Sequence, residues 1–486
     1  MTDTSPGTAA AESGLPLLPA ERKWGSLALF GNAASAAVAT WCFIIGGLVS
    51  NYLPAGIGTL VMIAGMLIGM FFVIMACLPS ATRYGLEAIR STRPILGVRG
   101  SLFTVALLIT FTLGWNAILV IFLGRAGAQI FVNSGLAGES TRGFLEVALA
   151  VGGLFIVWLT LLKGPETLRN VGPIIAGSVI VLSVVVMVLL FTKLGADAIF
   201  TAPALAPSGD NLLDYMTGIE LLISTGLSWW PYVGGVLRNS AGTHTAIWPA
   251  ISGLGVAVSA ICLIGLYSST AIPESKGDPT KFLMEVGGLG FGLLALAFIV
   301  LANIGTAMLG IYVSALALKQ IPAFDRIVPW NVTTASVLAP VGVIVALFAT
   351  PFYDHFGTFL SFSGVVFGPL CGVQIVDYFL IRKQQLHLRS LFTDEPGNRY
   401  WFTGGFNLSG LVSIGAGVCA YLLLLDPVTF ASAPAFKYIG ASVPATVVAA
   451  GFYLILRKWV FRSPEEPATG RLARQGKSAR SVRTAV

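Results

Sequence analysis

Twelve long apolar stretches, separated by short turns rich in Arg, Lys, Gly and Pro, occupy the sequence between Trp24 and Val460. A helix needs about 20 apolar residues to cross the hydrocarbon core of a bilayer. Inside that core the backbone must satisfy its own hydrogen bonds, which favours helices. Charged residues make up 10% of the chain, whereas soluble domains carry about 25%. The sequence therefore predicts an all-α polytopic membrane protein with 12 transmembrane helices.

The twelve predicted spans are the most apolar windows of the chain, and their existence is predicted more sharply than their ends. They are 24–49, 55–78, 100–131, 143–163, 171–194, 212–237, 244–272, 282–317, 328–350, 353–381, 401–424 and 435–460. The eighth window is long enough to hold a tilted helix and an interfacial piece.

Lysine and arginine are distributed unequally between the two sides that these spans define. Of the 29 Lys and Arg residues, 23 fall on the side that holds both termini. Cytoplasmic loops hold the excess of positive charge. We therefore expect a multi-pass protein of the inner (plasma) membrane with both termini in the cytoplasm. The net charge of +7 follows from this topology, so no nucleic-acid partner is expected.

The same assignment divides the chain into five segments. Residues 1–23 and 461–486 are polar, lack the apolar core of a signal peptide, and are expected to be disordered cytoplasmic tails, the second of them basic. Between the tails we expect a ten-helix core at 24–381, a cytoplasmic loop at 382–400 and two peripheral transmembrane helices at 401–460.

Cysteine and histidine form no catalytic or metal-binding pattern in this sequence. The five cysteines lie in or beside apolar segments, and the three histidines are scattered near predicted helix ends. Neither a CxxC nor a Cys/His spacing occurs, and no Walker motif is present. We expect no enzymatic activity, no cofactor, and no bound metal other than Na⁺.

The sixth predicted span is interrupted between residues 224 and 235. Pro231 lacks a backbone donor and clashes with a preceding helical turn, and Trp229 and Trp230 lie mid-span rather than at a membrane interface. Backbone freed around Gly226 and Ser228 can then face a substrate. A simple proline kink is the alternative interpretation.

Other spans also carry groups suited to a buried site. A run of small residues that begins at Asn32 and ends at Trp41 suits either close helix packing or a second interruption in span one. In span three, Trp115 offers a flat face and one N–H donor, and Asn116 offers a donor and an acceptor. Glu220 in span six is a rare intramembrane carboxylate. Three interpretations stay open: a functional group inside the membrane, a side chain that snorkels to the interface, or part of a gate.

Four segments together resemble the nucleobase:cation symporter-1 family, which includes cytosine, purine, allantoin and hydantoin permeases. They are the entry segment ERKWGSL at 21–27, ATRYG at 81–85, GVRGS at 97–101, and GPLCGV with DYFLIR between 368 and 382. The resemblance extends from about residue 21 to residue 460.

The resemblance implies a LeuT-like fold, with inverted five-helix repeats at 24–194 and 212–381 plus two extra helices. It implies a secondary transporter that imports a nucleobase or related planar heterocycle by alternating access, coupled to a cation. The heterocycle would lie between Trp115 and an aromatic residue of span six, either Trp229 or Trp230. The implied cation ligands are the carbonyls of Ser35, Val38 and Ala302, position Gly305 and the hydroxyl of Thr306.

Several positions depart from the family pattern, and three of them concern the substrate and the cation. Leu119 and Ile311 stand where substrate-binding amides are expected, and Gly305 stands where a hydroxyl ligand is expected. We therefore expect weak Na⁺ dependence, a proton gradient as the driving force, and Glu220 as the titrating group. A vitamin-precursor transporter and an amino acid–polyamine permease of the same fold are the alternatives. The expected partners are a small heterocycle and the lipid bilayer, with a monomer sufficient for function and no prediction of oligomeric state.

Overall fold

The computed structural model describes residues 15–37, 39–162 and 166–460, without the side chains of residues 35–37, 166–176 and 322. Within these ranges the regular structure is helical, and β pairing is confined to isolated bridges. The all-α prediction is confirmed. The predicted tail at 461–486 lies outside the described residues.

The helices of the described ranges are numbered in chain order. The first ten are α1 Ser26–Ala37, α2 Trp41–Ser50, α3 Ala55–Tyr84, α4 Arg93–Leu96, α5 Ser101–Asn133, α6 Arg142–Leu161, α7 Glu166–Lys193, α8 Ala196–Thr201, α9 Asn211–Leu227 and α10 Trp230–Leu237. The next ten are α11 Thr243–Ala250, α12 Ala257–Ala271, α13 Pro279–Leu318, α14 Pro322–Ile327, α15 Trp330–Asp354, α16 Phe356–Val376, α17 Leu388–Leu391, α18 Leu408–Leu424, α19 Phe436–Ile439 and α20 Ser442–Ile455. Short π-helical turns occupy Ile251–Val256, Asp377–Ile381 and Leu456–Val460.

Eight helical segments of the described ranges are long and apolar enough to cross a membrane. They are Ala55–Tyr84, Ser101–Asn133, Glu139–Leu161, Thr243–Ala271, Pro279–Leu318, Trp330–Asp354, Phe356–Ile381 and Ser442–Val460. Shorter apolar helices lie at Trp41–Ser50, Gly177–Lys193 and Leu408–Leu424. A multi-pass membrane protein is confirmed, while the count of twelve spans stays a prediction.

The first and sixth predicted spans are each divided into two helices. In the first, α1 ends at Ala37 and α2 begins at Trp41. In the sixth, α9 ends at Leu227 and α10 begins at Trp230, with Pro231 as its second residue. Proline is tolerated in the first turn of a helix, where its missing N–H has no partner to lose. Pro231 therefore starts a second helix rather than kinking a continuous one.

Helix α13 contains a break of its own near the start. Asp278 caps its N-terminus by accepting from the N–H of Thr280 at 2.9 Å. Gly288 has φ 71° and ψ 175°. Residues other than glycine rarely adopt this backbone conformation. The segment therefore combines a short leading piece with a long helix, as the length of the eighth predicted span indicated.

Helices α2 and α12 approach each other so closely that two glycines are required at the contact. A Cβ atom on Gly46 would lie 2.0 Å from the carbonyl oxygen of Cys262, and one on Gly265 would lie 1.9 Å from that of Phe43. Real Cβ atoms do not approach so closely, and small residues are how membrane helices achieve such packing. This contact fixes α2, and with it the position of Trp41 at its first turn.

The last long helix, α20, is bound to the core by a buried carboxylate near its C-terminal end. Asp377 accepts hydrogen bonds from Arg382 Nε at 2.6 Å and from the Tyr453 hydroxyl at 2.7 Å. Arg382 is one of the two basic residues that follow Asp377 closely in the sequence. A buried charge is stable only when it is paired and hydrogen-bonded in this way.

Residues 15–23 differ from the disordered tail predicted for 1–23. The Leu17 N–H donates to the Gly85 carbonyl at 3.1 Å, and the Arg22 guanidinium donates to the carbonyls of Thr82 at 2.7 Å and Leu17 at 2.8 Å. Arg22 is buried by these contacts. The polar composition that suggested disorder includes a side chain that binds backbone carbonyls at the end of α3. Residues 1–14 lie outside the described part of the chain.

Candidate functional site

Three tryptophans meet where the two divided spans face the middle of α5. Trp41 begins α2, Trp115 lies within α5, and Trp229 precedes α10. The Trp41 ring is 5.0 Å from that of Trp115 at an interplanar angle of 68°, and 6.1 Å from that of Trp229 at 49°. These distances are those of favourable aromatic pairs. We call this group the tryptophan cluster.

Other aromatic side chains surround the tryptophan cluster. Tyr232 lies 5.4 Å from Trp229, and Phe356 and Phe359 of α16 lie 5.6 and 5.7 Å from Trp115. The three packing angles between these rings and the cluster are 84°, 77° and 55°, so none of the pairs is parallel. The result is a buried, flat-walled aromatic region formed by four segments of the chain.

Two indole N–H groups of the tryptophan cluster have no hydrogen-bond partner among the described residues. They are the Nε1 atoms of Trp115 and Trp229, both buried. A buried N–H without a partner costs about 1–3 kcal/mol. Ligand sites contain a few polar groups that bind acceptors or donors of the ligand, and these two N–H groups are available for that purpose. The cluster therefore offers flat faces together with two donors.

Trp230 lies outside the tryptophan cluster. Its indole Nε1 donates to the side-chain oxygen of Gln374 at 2.6 Å, and its ring stacks on Phe367 at 5.5 Å and 18°. Successive helical residues point about 100° apart, so two neighbouring tryptophans cannot serve the same site. The sequence left the choice between Trp229 and Trp230 open, and the structure places Trp229 in the cluster.

Asn116 lies on the side of α5 that faces α13. Its Nδ2 donates to the Thr112 carbonyl at 2.7 Å. A Cβ atom built on Gly310 would lie 2.5 Å from the Asn116 amide. Thr112 and Ser314 are bonded through their hydroxyls at 2.5 Å across the same contact. The structure thus shows Asn116 in a polar seam between two helices, with its Oδ1 unpartnered among the described residues.

Gly226 and Ser228 are both engaged near the break of span six. Gly226 packs on the backbone of α3, where a Cβ atom would meet Met70 N at 2.8 Å. The Ser228 hydroxyl donates to the Thr225 carbonyl at 2.6 Å. Among the residues predicted for substrate binding, Trp115 and Trp229 come together, while the side chains of Asn116, Ser228 and Trp230 bind other parts of the protein.

The predicted cation ligands of span eight lie on one face of α13. The Thr306 hydroxyl donates to the Ala302 carbonyl at 3.1 Å, the back-bond that threonine commonly makes within helices. Gly305 contributes no side-chain oxygen. On the facing span, Ser35 belongs to α1 without a described side chain, and Val38 lies outside the described residues. The structure therefore describes only the α13 half of the predicted cation site.

Asn303 of α13 is bound to the break in span one, a contact that sequence reasoning missed. Its Nδ2 donates to the Thr40 hydroxyl at 2.8 Å, and its Oδ1 accepts from that hydroxyl at 3.1 Å and from the Thr40 N–H at 3.4 Å. Both side chains are buried. Thr40 immediately precedes Trp41, so this pair connects α13 to the tryptophan cluster.

Trp41 was also missed, although it ends the run of small residues that pointed to an interruption of span one. An interrupted first span could have indicated it, because the residue that starts the second half faces the gap that the break creates.

Glu220 lies on α9 and caps the N-terminus of α20. Its carboxylate accepts from the N–H groups of Ala441 at 3.0 Å and Ser442 at 2.9 Å, and from the Ser442 hydroxyl at 2.5 Å. The N-terminus of a helix stabilises a negative charge. This buried carboxylate is therefore held at the contact between span six and the last long helix.

Comparison with known proteins fits this architecture. Residues 16–443 match the family described as permeases for cytosine/purines, uracil, thiamine and allantoin. The chain belongs to this permease family. The permease is 23% identical over 414 residues to the hydantoin permease of Microbacterium maritypicum, covering 80% of each chain. It is 26% identical over 182 residues to the purine-uracil permease NCS1 of Arabidopsis thaliana, a match that spans only 26% of that relative.

Solved structures share the permease's fold. Mhp1, a nucleobase-cation-symport-1 family transporter in a closed conformation with bromovinylhydantoin bound, superposes with a TM-score of 0.75 at 18% identity, covering 92% of this chain and 95% of Mhp1. A Na⁺-coupled sialic acid symporter gives a TM-score of 0.57 at 12% identity, covering 92% and 94%. These similarities confirm the LeuT-like fold. The family confirms a transporter and not an enzyme.

Proposed function

We propose that this permease imports a small planar heterocycle of the nucleobase type by alternating access. The observation that supports it most directly is the tryptophan cluster, in which Trp115 and Trp229 present buried indole N–H groups without partners at the breaks of two spans. Flat aromatic faces stack on heterocycles, and N–H donors bind their carbonyl or ring-nitrogen acceptors. Family relatives named for purine, uracil and hydantoin are consistent with such a substrate.

A cation gradient drives this import in our proposal, through a site beside the break of span one. Thr306 brings a hydroxyl and Ala302 a carbonyl, whereas Gly305 brings no side-chain oxygen. Hard cations prefer several oxygen ligands, so a site that lacks one hydroxyl should bind Na⁺ weakly. We therefore propose a proton gradient as the main driving force.

Glu220 is the proposed titrating group, and its contacts define what that role requires. Three donors of Ala441 and Ser442 stabilise its ionised form. Protonation would weaken the cap of α20 at the same time. Proton coupling through Glu220 therefore implies a change at the contact between α9 and α20 in each transport cycle, and a purely structural cap is the competing role.

The proposed setting is a plasma membrane with both termini in the cytoplasm and a monomer as the working unit. This orientation rests on the excess of Lys and Arg on one side of the predicted spans. The positive side includes the buried contacts of Arg22 near the end of α3.

Uptake by purified protein in proteoliposomes tests this proposal. Radiolabelled uracil, cytosine, hypoxanthine, hydantoin and allantoin are offered under a Na⁺ gradient alone, a pH gradient alone, and neither. We expect accumulation of at least one heterocycle that is driven by the pH gradient and lost in Trp115→Ala. Accumulation of none of the five, or accumulation that Trp115→Ala leaves unchanged, would contradict the proposed site.

A further inference from the structure

The indole of Trp41 packs against both tryptophans that are proposed to hold the substrate. An aromatic sandwich needs only two faces, here those of Trp115 and Trp229. The structure adds a third ring in contact with both, at 5.0 Å from Trp115 and 6.1 Å from Trp229. Trp41 is 1% exposed. Its ring therefore belongs to the interior of the site rather than to its entrance.

The orientation of Trp41 makes it a wall rather than another stacking face. It meets Trp115 at 68° and Trp229 at 49°, so it is parallel to neither ring. A flat ligand stacked parallel to Trp115 would therefore be steeply inclined to the Trp41 ring rather than stacked on it. Two open faces would accept one ring or two fused rings, but an oblique wall limits how far the ligand's plane can extend.

Trp41 is also held firmly in this position. The preceding residue, Thr40, is bonded on its hydroxyl and its N–H to Asn303 of α13. The following turns of α2 pack on α12 through Gly46 and Gly265, where no Cβ atom fits. A wall that is fixed from both sides can discriminate by shape, because the side chain cannot move aside without breaking these contacts.

We infer that Trp41 is a specificity-determining residue that restricts the site to heterocycles of a single ring, and that the Thr40–Asn303 pair is its positioning contact. This inference rests on the proposed function, since it assigns the class of substrate to the same site. The two unpartnered donors, Trp115 Nε1 and Trp229 Nε1, further favour a ring with carbonyl or ring-nitrogen acceptors on its edge.

The test compares dissociation constants of one-ring and two-ring probes of similar polarity. Radiolabelled uracil and hydantoin represent single rings, and hypoxanthine and adenine represent fused rings, each measured by equilibrium binding to the purified permease. We expect the wild-type protein to bind a single-ring probe at least about tenfold more tightly than either fused-ring probe. Trp41→Leu should reduce this preference by at least about tenfold, chiefly by tightening binding of the fused rings.

Trp330→Leu is the matched control, because it makes the same substitution outside the cluster. The Trp330 ring packs on Tyr312 at 5.9 Å, and its N–H donates to the Leu161 carbonyl at 3.0 Å. This control should keep the wild-type preference. An equal loss of preference in Trp330→Leu and Trp41→Leu would overturn the inference, since general loosening would then explain both.

Two further variants cover the case in which Trp41→Leu fails to fold. Trp41→Phe keeps an aromatic wall of smaller size, and Asn303→Ala keeps Trp41 but removes its support. Both should shift the preference in the same direction, by less than Trp41→Leu. A merely structural role of Asn303 would lower the melting temperature and leave the ratio of dissociation constants unchanged, which would remove the positioning contact from the inference.

The outcomes separate this inference from the proposed function. If the wild-type permease binds uracil or hydantoin in a Trp115-dependent way, but every Trp41 variant keeps the wild-type preference, the inference is wrong and the proposed function stands. If the wild-type protein binds fused rings as tightly as single rings, the inference is also wrong. If the wild-type permease binds none of the four probes and neither cytosine nor allantoin, both fail together.

Discussion

The indole N–H of Trp230 donates a 2.6 Å hydrogen bond to the side-chain oxygen of Gln374, and this bond joins the second half of span six to α16. Gln374 Nε2 in turn donates to the Ser91 hydroxyl at 3.0 Å. All three side chains are buried. Trp229 and Trp230, although adjacent in sequence, therefore divide two tasks, since one faces the tryptophan cluster and the other fastens its helix to a neighbour.

Trp115→Ala should weaken binding of the transported heterocycle while the protein still reaches the membrane. Stacking of a base on an aromatic side chain contributes about 1–3 kcal/mol, which corresponds to roughly 5- to 150-fold in the dissociation constant. Equilibrium binding to purified protein measures the change, and surface labelling confirms expression. Wild-type affinity in this variant would remove Trp115 from the site.

Trp229→Ala should affect substrate binding, whereas Trp230→Ala should affect stability. Trp229→Ala is expected to weaken substrate binding by a factor similar to that of Trp115→Ala. Trp230→Ala leaves Gln374 without its donor and opens a cavity, so it should lower stability by about 3–5 kcal/mol. Thermal unfolding in detergent, compared with substrate affinity, separates the two effects. The reverse pattern would show that the phase of α10 differs from that in the structure.

Coupling can be assigned by combining Thr306→Ala with Glu220→Gln. We expect uptake to depend weakly on Na⁺ and strongly on a pH gradient, with the pH dependence lost in Glu220→Gln. Glu220→Gln keeps one oxygen to accept from Ser442, so a folded protein is expected. If uptake is steeply Na⁺-dependent, indifferent to pH, lost in Thr306→Ala and kept in Glu220→Gln, a Na⁺ site completed by water is the better explanation.

The orientation of the chain can be read by labelling single cysteines introduced into two loops, in a background without the five native cysteines. A cysteine between residues 195 and 210 should react with an impermeant reagent applied from outside. One between residues 384 and 398 should react only after permeabilisation, because that side holds the excess positive charge. Labelling in the opposite pattern would invert the topology.

The sequence predicted the helical class, the divided spans and one member of the cluster for identifiable reasons. Long apolar stretches indicate membrane helices directly, and Pro231 indicates that the helix of span six is interrupted. Trp115 lies mid-span, where an interfacial tryptophan is not expected. Each of these signals depends on a short stretch of sequence, so it can be recognised without knowing which helices are neighbours.

The remaining parts of the site depend on helix phase and on contacts far apart in sequence. Whether Trp229 or Trp230 faces the cluster is set by how α10 rotates after the break, which its partner Gln374 fixes from α16. The sequence could not show that the Asn116 side chain packs against Gly310, because Gly310 lies on another helix. Thr40 and Asn303 are 263 positions apart, and neither has a local pattern that identifies its partner.

The two buried carboxylates that bind α20 have a consequence for engineering this permease. Glu220 holds the first turn of that helix and Asp377 binds Tyr453 near its other end. Removing a partner from a buried, hydrogen-bonded charge costs about 3–5 kcal/mol. A shortened version that stops before Ser442 would strand Glu220 without its cap contacts and Asp377 without Tyr453. The last helix thus stabilises spans six and ten through these two contacts. A minimal ten-helix version needs a neutral replacement for Glu220, whereas Asp377 keeps its buried partner Arg382.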